Sequence, residues 1–163
     1  MRTLLNNLTI TVVLLTIGIA CSSEADPQPK ANPAFVYFLV AEKNSVKGDS
    51  YILPLVNAAD ITQARAMIAN ANDQKIVMAE ITKDSQLNYH VNKDILKNKR
   101  WSWHVGRFIG FADISAEIYD AWPEYIEDNY SEWVRITKNQ NGNGVIGFWG
   151  YTIKREVSAL ELK

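Results

Sequence analysis

The apolar residues of this chain gather into short runs rich in aromatic and β-branched side chains, and this grouping constrains the fold most strongly. Such runs are too short for buried helices and are typical of core strands. They predict strands at Ala34–Ala41, Tyr51–Val56 and Lys75–Thr82, and one or two closing strands within Val145–Val157. The polar turn between the first two runs predicts that those strands pair antiparallel.

Two segments show helical spacing instead. Asn57 is predicted to cap one helix, with Asp60 at the N3 position. Pro123 is predicted to lie just inside a second helix, because the first turn tolerates proline. Their apolar sides are Ile61, Ala64, Met67 and Ile68, and Ile126, Tyr130, Trp133 and Val134, respectively. The order of elements predicts a single α+β domain, a mostly antiparallel sheet with two helices packed on one face.

The middle of the chain gives weaker patterns. Leu87–Val91 is a candidate for a short strand. Side chains alternate in Trp101–Val105 (WSWHV), which predicts a strand with both tryptophans and the valine on one face. The same alternation places Ser102 and His104 on the solvent face. Phe108–Tyr119 is predicted to follow as a longer strand.

The first twenty residues are predicted to be a secretory signal peptide. Their uncharged run, Leu8–Ala20, is too short to span the hydrocarbon core of a bilayer. Cys21 follows small residues, as in a bacterial lipoprotein cleavage site, so we expect lipid on Cys21. Residues 22–33 contain three prolines and no large apolar side chain, which predicts a tether ahead of the domain at residues 34–163. The alternative is a secreted protein, cut at the same bond, with a free thiol.

Composition narrows the classes of function. Apolar residues make up 47% of the 163 residues and charged residues 21%, which are ordinary globular values. A net charge of −1 argues against a nucleic acid as partner, so membrane contact is expected only through the lipid anchor. The single cysteine excludes an intramolecular disulfide and any multi-cysteine metal cluster.

Candidate catalytic and metal-binding groups are sparse. His90 and His104 lie in predicted strands, but their spacing to nearby carboxylates matches no metal motif, so neither a metal nor a cofactor is expected. Established nucleophile and phosphate-loop motifs are missing from the sequence. An enzyme would have to use His104 with Glu117 or Asp120 as acid and base. Asn139–Gly144 places neutral amides where a calcium loop needs acids, and is predicted to be a turn.

Acidic and aromatic residues supply the candidate binding surfaces. Seven acids and no lysine or arginine lie between Arg107 and Arg135, and Glu124 and Glu127 fall in the first turns of the second helix. A solvated helix face explains the cluster, as does a surface for a basic partner or loosely held calcium. The basic residues just before it are candidates to neutralise it. Of the five tryptophans, those proposed as contact residues are Trp101, Trp103 and Trp149.

Five motifs occur together in one order: QARAMI at residues 63–68, WSWHV at 101–105, FADISAEIYD at 111–120, PEYIEDN at 123–129 and KREV at 154–157. Together they resemble the N-terminal domain family named from a slime-mould calmodulin-binding protein. The resemblance covers Phe35–Val157 and implies an extracytoplasmic α+β module without an assigned activity. His104, Glu117, Asp120 and the aromatic positions match the family pattern, first of all as structural residues.

The chain departs from the family at Tyr119, where a cysteine is usual, and near Trp149–Tyr151, where Cys-Pro-Trp is usual. Any thiol or disulfide chemistry of the family is therefore not expected here, and calmodulin binding is not carried over. We expect a non-enzymatic, lipid-anchored binding module for a protein or small-molecule ligand of unknown identity. The alternatives are a hydrolase or lyase built on His104, and a calcium-stabilised structural domain.

Overall fold

The computed structural model describes residues 35–45, 48–83 and 91–163. The predicted signal peptide, Cys21, the tether, His90 and all but the last residue of the candidate strand Leu87–Val91 lie outside these ranges. The strands are β1 Val36–Glu42, β2 Ser50–Leu55, β3 Ile76–Thr82, β4 Lys93–Asp94, β5 Lys99–Arg100, β6 His104–Ala112, β7 Gly144–Ile146 and β8 Tyr151–Val157. The helices are α1 Ala58–Ala69, a 3₁₀ turn Glu117–Tyr119 and α2 Pro123–Thr137.

The strands form three small antiparallel sheets rather than one. The first sheet has the order β2-β1-β8, the second has the order β6-β3-β7, and β4 pairs with β5. Contacts between β2 and β6, and between β3 and β8, join the two larger sheets. The α+β class and the antiparallel pairing are therefore confirmed, with the strands divided among sheets.

Both helices begin where the sequence predicts. The side chain of Asn57 accepts a hydrogen bond from the Ala59 N–H at 2.8 Å and caps α1, which packs on β8. Pro123 occupies the first turn of α2, which contacts β7 through a face that buries Ile126 and Trp133. Among the described residues, neither helix is long and apolar enough to cross a membrane.

One main core cluster unites both larger sheets and both helices. Its largest fully buried side chains are aromatic: Phe38, Tyr51, Trp103 and Phe148. The ring of Tyr51 lies 5.9 Å from that of Trp103 and 5.7 Å from that of Phe148. Since aromatic pairs at such separations add to the free energy of burial, these rings anchor the fold.

The strand predicted over Phe108–Tyr119 is wrong in its second half. β6 ends at Ala112, which pairs with Ile76, the first residue of β3. Beyond this pair β3 offers no further partner, and Asp113 instead accepts a hydrogen bond from Lys75 Nζ at 2.7 Å. The chain then turns through the 3₁₀ segment that ends at Tyr119.

The strand predicted over Trp101–Val105 starts only at His104, and the predicted exposure of His104 is wrong. His104 is 8% exposed and pairs with Thr82 at the end of β3, whereas Ser102 is exposed as expected. Two-residue alternation holds only within a continuous strand. Trp101 interrupts it, because its backbone N–H donates to the carbonyl of Asn92 at 3.1 Å.

The predicted turn at Asn139–Gly144 is confirmed, and it holds a buried carboxylate. The Asn139 N–H donates to the Asn143 carbonyl at 3.0 Å. Both side-chain amides donate to Glu80, at 2.5 and 3.1 Å, and the Arg107 guanidinium completes the set. Hydrogen bonds from Arg107 first, and then from the amides, hold the pKa of the Glu80 carboxyl below its ordinary value.

Candidate functional site

A cleft of about 520 Å³ opens at the end of β1, and we call it the tryptophan cleft. It is lined by Glu42, Lys43, Asn44, Asp120, Ala121, Trp122, Trp149, Gly150 and Tyr151. Three segments that are distant in sequence meet here: the end of β1, the residues before α2 and the residues leading into β8. The volume falls within the range of about 300–1,000 Å³ that is usual for small-ligand sites.

Hydrogen bonds fix the three segments against one another. The Trp149 N–H donates to Oδ1 of Asp120 at 3.1 Å, and the Gly147 N–H donates to the Tyr119 carbonyl at 3.2 Å. On the other side, the Lys43 N–H donates to the Gly150 carbonyl at 2.7 Å. The cleft is therefore shaped by backbone contacts rather than by side-chain packing alone.

Two tryptophans of the cleft are exposed to an unusual degree. Trp122 is 51% exposed and Trp149 is 44% exposed. The ring of Trp122 packs on that of Tyr125, with centroids 5.2 Å apart, so part of its surface is supported by α2. Large aromatic side chains normally bury most of their area, and exposed ones beside a cleft are candidates for ligand contact.

Charges of both signs line the tryptophan cleft. Glu42 and Asp120 carry negative charge, and Lys43 carries positive charge. The Lys154 ammonium donates to the Lys43 carbonyl at 2.9 Å, and burial first, then the charge of Lys43, lowers the pKa of Lys154. Burial, and then nearby carboxylates that include Glu42, raise the pKa of the Tyr151 hydroxyl. The site combines hydrogen-bond donors and acceptors with nearly balanced charge.

Trp101 and Trp103 lie in the core instead of on a binding surface. Trp101 is 7% exposed and Trp103 is fully buried, and their rings stack with centroids 6.4 Å apart. The indole N–H of Trp101 donates to the Ser50 carbonyl at 2.8 Å. The side-chain amide of Asn92 donates to the Trp103 carbonyl at 2.9 Å. These contacts give both rings a structural role and little surface for a ligand.

The predicted acidic residues of α2 are paired within the domain. Lys99 Nζ lies 3.0 Å from Glu124 Oε1, and its hydrogen bond to that carboxylate raises the pKa of Lys99. Glu127 accepts hydrogen bonds from the Ser102 N–H and hydroxyl at 2.9 and 3.0 Å. The basic stretch before the acidic segment thus neutralises part of it, as the sequence suggested. Glu124 and Glu127 remain predicted binding residues, although internal contacts engage both.

The structure brings Asp120 and Trp149 together but leaves the other candidate acid–base residues elsewhere. Within the described ranges, neither His104 nor Glu117 lines the tryptophan cleft. Glu117 is exposed at the start of the 3₁₀ turn, and His104 is buried at the start of β6. In the same ranges no group of three His, Cys, Asp or Glu side chains could hold a metal ion.

Sequence reasoning did not select four of the cleft residues: Glu42, Lys43, Asn44 and Trp122. Trp122 carried one signal, since it directly precedes a proline that opens a helix, and such a position faces away from the helical core pattern. The other three lie in a polar turn whose sequence resembles any surface loop. Only the fold brings that turn opposite Trp149.

A comparison with known families matches almost the whole described domain. The matching family is the N-terminal domain family named from the slime-mould calmodulin-binding protein, and the match spans residues 34–160. This chain belongs to that family. The match confirms the resemblance carried by the WSWHV motif, whose tryptophans are core residues in this fold. No curated protein and no solved structure matches the chain.

The departures of this calmodulin-binding-protein N-terminal domain from the expected family pattern lie beside the tryptophan cleft. Trp149, Gly150 and Tyr151 line it, and Tyr119 immediately precedes Asp120. The hydrogen bond from the N–H of Gly147 to the carbonyl of Tyr119 also ties the two departing segments together. The cleft is therefore the region where this chain is most its own.

Proposed function

We propose that this chain is a binding module without catalytic activity, and that its ligand occupies the tryptophan cleft. One observation carries the proposal: Trp122 and Trp149 are 51% and 44% exposed on a cleft that backbone hydrogen bonds hold in shape. An ordered cleft bordered by exposed indole rings favours ligand binding, because burying those rings releases free energy and the cleft needs little reorganisation.

We propose further that the module acts outside the cytoplasm on a lipid anchor. The support is the sequence: the run Leu8–Ala20, followed by Cys21 and the proline-containing stretch at residues 22–33. A lipid on Cys21 would hold the chain at a membrane, and the tether would place the domain clear of that surface. The ligand is then a protein or small molecule of the envelope or its surroundings.

The alternative of a hydrolase or lyase has less support. It requires substrate to reach His104 together with Glu117 or Asp120, and His104 is 8% exposed. The tryptophan cleft contributes Asp120 to such chemistry but, among the described residues, no histidine. General acid–base catalysis needs its groups within hydrogen-bond reach of one substrate. A binding role therefore accounts for the cleft better.

A capture experiment with matched variants tests the proposed function. The full chain is immobilised beside its Trp149→Ala variant and an Ile114→Ala control, and each is incubated with bacterial envelope extract. Ile114 is 75% exposed and lies outside the cleft, so its replacement removes exposed apolar surface of another region. Circular dichroism first establishes that all three proteins are folded.

We expect a molecule that the wild type and Ile114→Ala retain and that Trp149→Ala loses by about tenfold or more. Equal retention by Trp149→Ala and the wild type would contradict the assignment of the site. Retention of nothing by the wild type would count against a binding module, and turnover of extract components that depends on His104 would replace it with the enzyme alternative.

A further inference from the structure

The geometry points to a saccharide as the class of ligand that the tryptophan cleft binds. This inference rests on the proposed function and adds the chemistry of the ligand. It follows from three features taken together: flat aromatic surface at the rim, hydrogen-bonding groups of both kinds in the wall, and nearly balanced charge. Each feature excludes other ligand classes.

The exposed indole rings suit the faces of sugar rings. A pyranose presents C–H groups on one face, and these pack against the electron-rich face of an aromatic ring. Trp149 offers such a surface at 44% exposure, and its backbone N–H is fixed on Asp120. Trp122 offers a second surface, which its contact with Tyr125 supports.

The polar groups of the cleft suit hydroxyl groups, which both donate and accept hydrogen bonds. The Glu42 and Asp120 carboxylates accept, the Lys43 ammonium donates, and the Asn44 amide does both. Asp120 engages Oδ1 with Trp149, and the described part of the chain gives its Oδ2 no partner. That oxygen is placed to accept from a ligand beside the indole.

The charges argue against strongly ionic ligands. A phosphate or sulfate would meet the carboxylates of Glu42 and Asp120, which repel anions. A quaternary ammonium group would gain from the indole rings but would meet Lys43, with the Lys154 ammonium bonded to the Lys43 carbonyl nearby. A neutral polyhydroxyl compound avoids both penalties.

An array of neutral mono- and oligosaccharides, probed with the full chain, tests the inference. The best saccharide is then titrated by tryptophan fluorescence against the wild type and its variants. Trp149→Ala, Trp122→Ala and Asp120→Asn each remove one proposed contact. The matched controls are Ile114→Ala and Asp128→Asn, two exposed residues outside the cleft.

A fourth variant fills the cleft without removing a contact. A Cβ at Gly150 meets no atom within 4 Å, and its backbone is not in the left-handed region, so Gly150→Gln is expected to fold normally. Its side chain would extend into the open space where the ligand is proposed to lie. Thermal unfolding of each variant separates loss of binding from loss of structure.

We expect saturable binding of at least one saccharide, weakened about tenfold or more by each cleft variant and unchanged by the controls. Two probes run in parallel, tetramethylammonium chloride and inorganic phosphate. Binding of either probe, lost in Trp149→Ala and without any saccharide binding, would overturn the saccharide class and leave the binding module standing. Saccharide binding that survives all four cleft variants would overturn the site, and the absence of all binding would overturn both proposals.

Discussion

The five tryptophans divide into two kinds according to their burial. The indole N–H groups of Trp101 and Trp133 donate to backbone carbonyls at 2.8 and 2.9 Å, and both rings are buried. Trp103 is fully buried as well, and its indole N–H finds no hydrogen-bond partner in the described part of the chain. Trp122 and Trp149 are about half exposed and border the tryptophan cleft. Burial therefore separates the structural tryptophans from the candidate contact residues.

Glu80 gives a prediction for the pH dependence of stability. Its carboxyl is 2% exposed, and hydrogen bonds from Arg107 and from two asparagines hold its pKa below the ordinary value. The stabilisation is therefore complete above the unfolded-state pKa, near 4.5, and is lost as the pH falls through the lowered folded-state pKa. Glu80→Gln should lower the free energy of unfolding at pH 7 by about 1.5–3 kcal/mol. It should also flatten the decline of that free energy between about pH 5 and pH 3.

Urea unfolding across that pH range measures both effects. The control is Glu132→Gln, which breaks another Arg–Glu pair, with Arg135, whose side chains are 67% and 56% exposed for Arg135 and Glu132. We expect a change within about 0.5 kcal/mol for this exposed pair. Equal losses in the two variants would contradict the role assigned to burial of Glu80.

At the scale of elements, α2 is joined to β7 by shared hydrogen bonds as well as by packing. The hydroxyl of Thr137, at the end of α2, donates to the Trp133 carbonyl at 2.8 Å and accepts from the Val145 N–H at 3.2 Å. The indole of Trp133 donates to the Val145 carbonyl. Both polar groups of Val145 therefore depend on the helix.

Replacing Thr137 by valine should separate this junction from simple helix propensity. Thr137→Val keeps the shape but leaves the buried Val145 N–H without its acceptor, which costs about 1–3 kcal/mol of unfolding free energy. Thr62→Val in α1 removes a hydroxyl with the same bond to the fourth preceding carbonyl, at 2.8 Å, on an exposed surface. Thermal or urea unfolding should show a loss within about 0.5 kcal/mol for Thr62→Val. Similar losses in both would refute the junction.

Element types could be predicted from the sequence, but their ends and partners could not. The first three strands and both helix starts follow from local patterns that tertiary contacts reinforce. The end of β6 depends on where β3 begins, and the alternation in WSWHV does not say that both faces are covered. Sequence selected Asp120 and Trp149, whereas Lys43 joins them only through pairing between distant segments.

At the scale of the whole molecule, the proposal combines one folded domain with an anchored tether. The domain presents a single chain of contacts from the core tryptophans to the rim of the tryptophan cleft. Trp103 packs on Tyr51, which packs on Phe148, and Phe148 directly precedes Trp149. The family motif thus supports the cleft from behind without touching the ligand.

Lipid attachment gives a prediction at this scale. The full chain, expressed in a bacterium supplied with labelled palmitate, should incorporate the label and fractionate with membranes. Cys21→Ser should remove both properties, because Cys21 is the only cysteine in the chain. Release of unlabelled wild-type protein into the soluble extracytoplasmic fraction would favour the secreted alternative and overturn the anchor.

The most direct measurement of the central claim is the NMR spectrum of the five indole N–H groups, assigned by single Trp→Phe variants. The low-molecular-mass fraction of the envelope extract serves as the probe. The account predicts that the signals of Trp122 and Trp149 shift while those of Trp101, Trp103 and Trp133 stay in place. Shifts confined to the core tryptophans, or an unchanged spectrum, would contradict the assignment of the tryptophan cleft as the binding site.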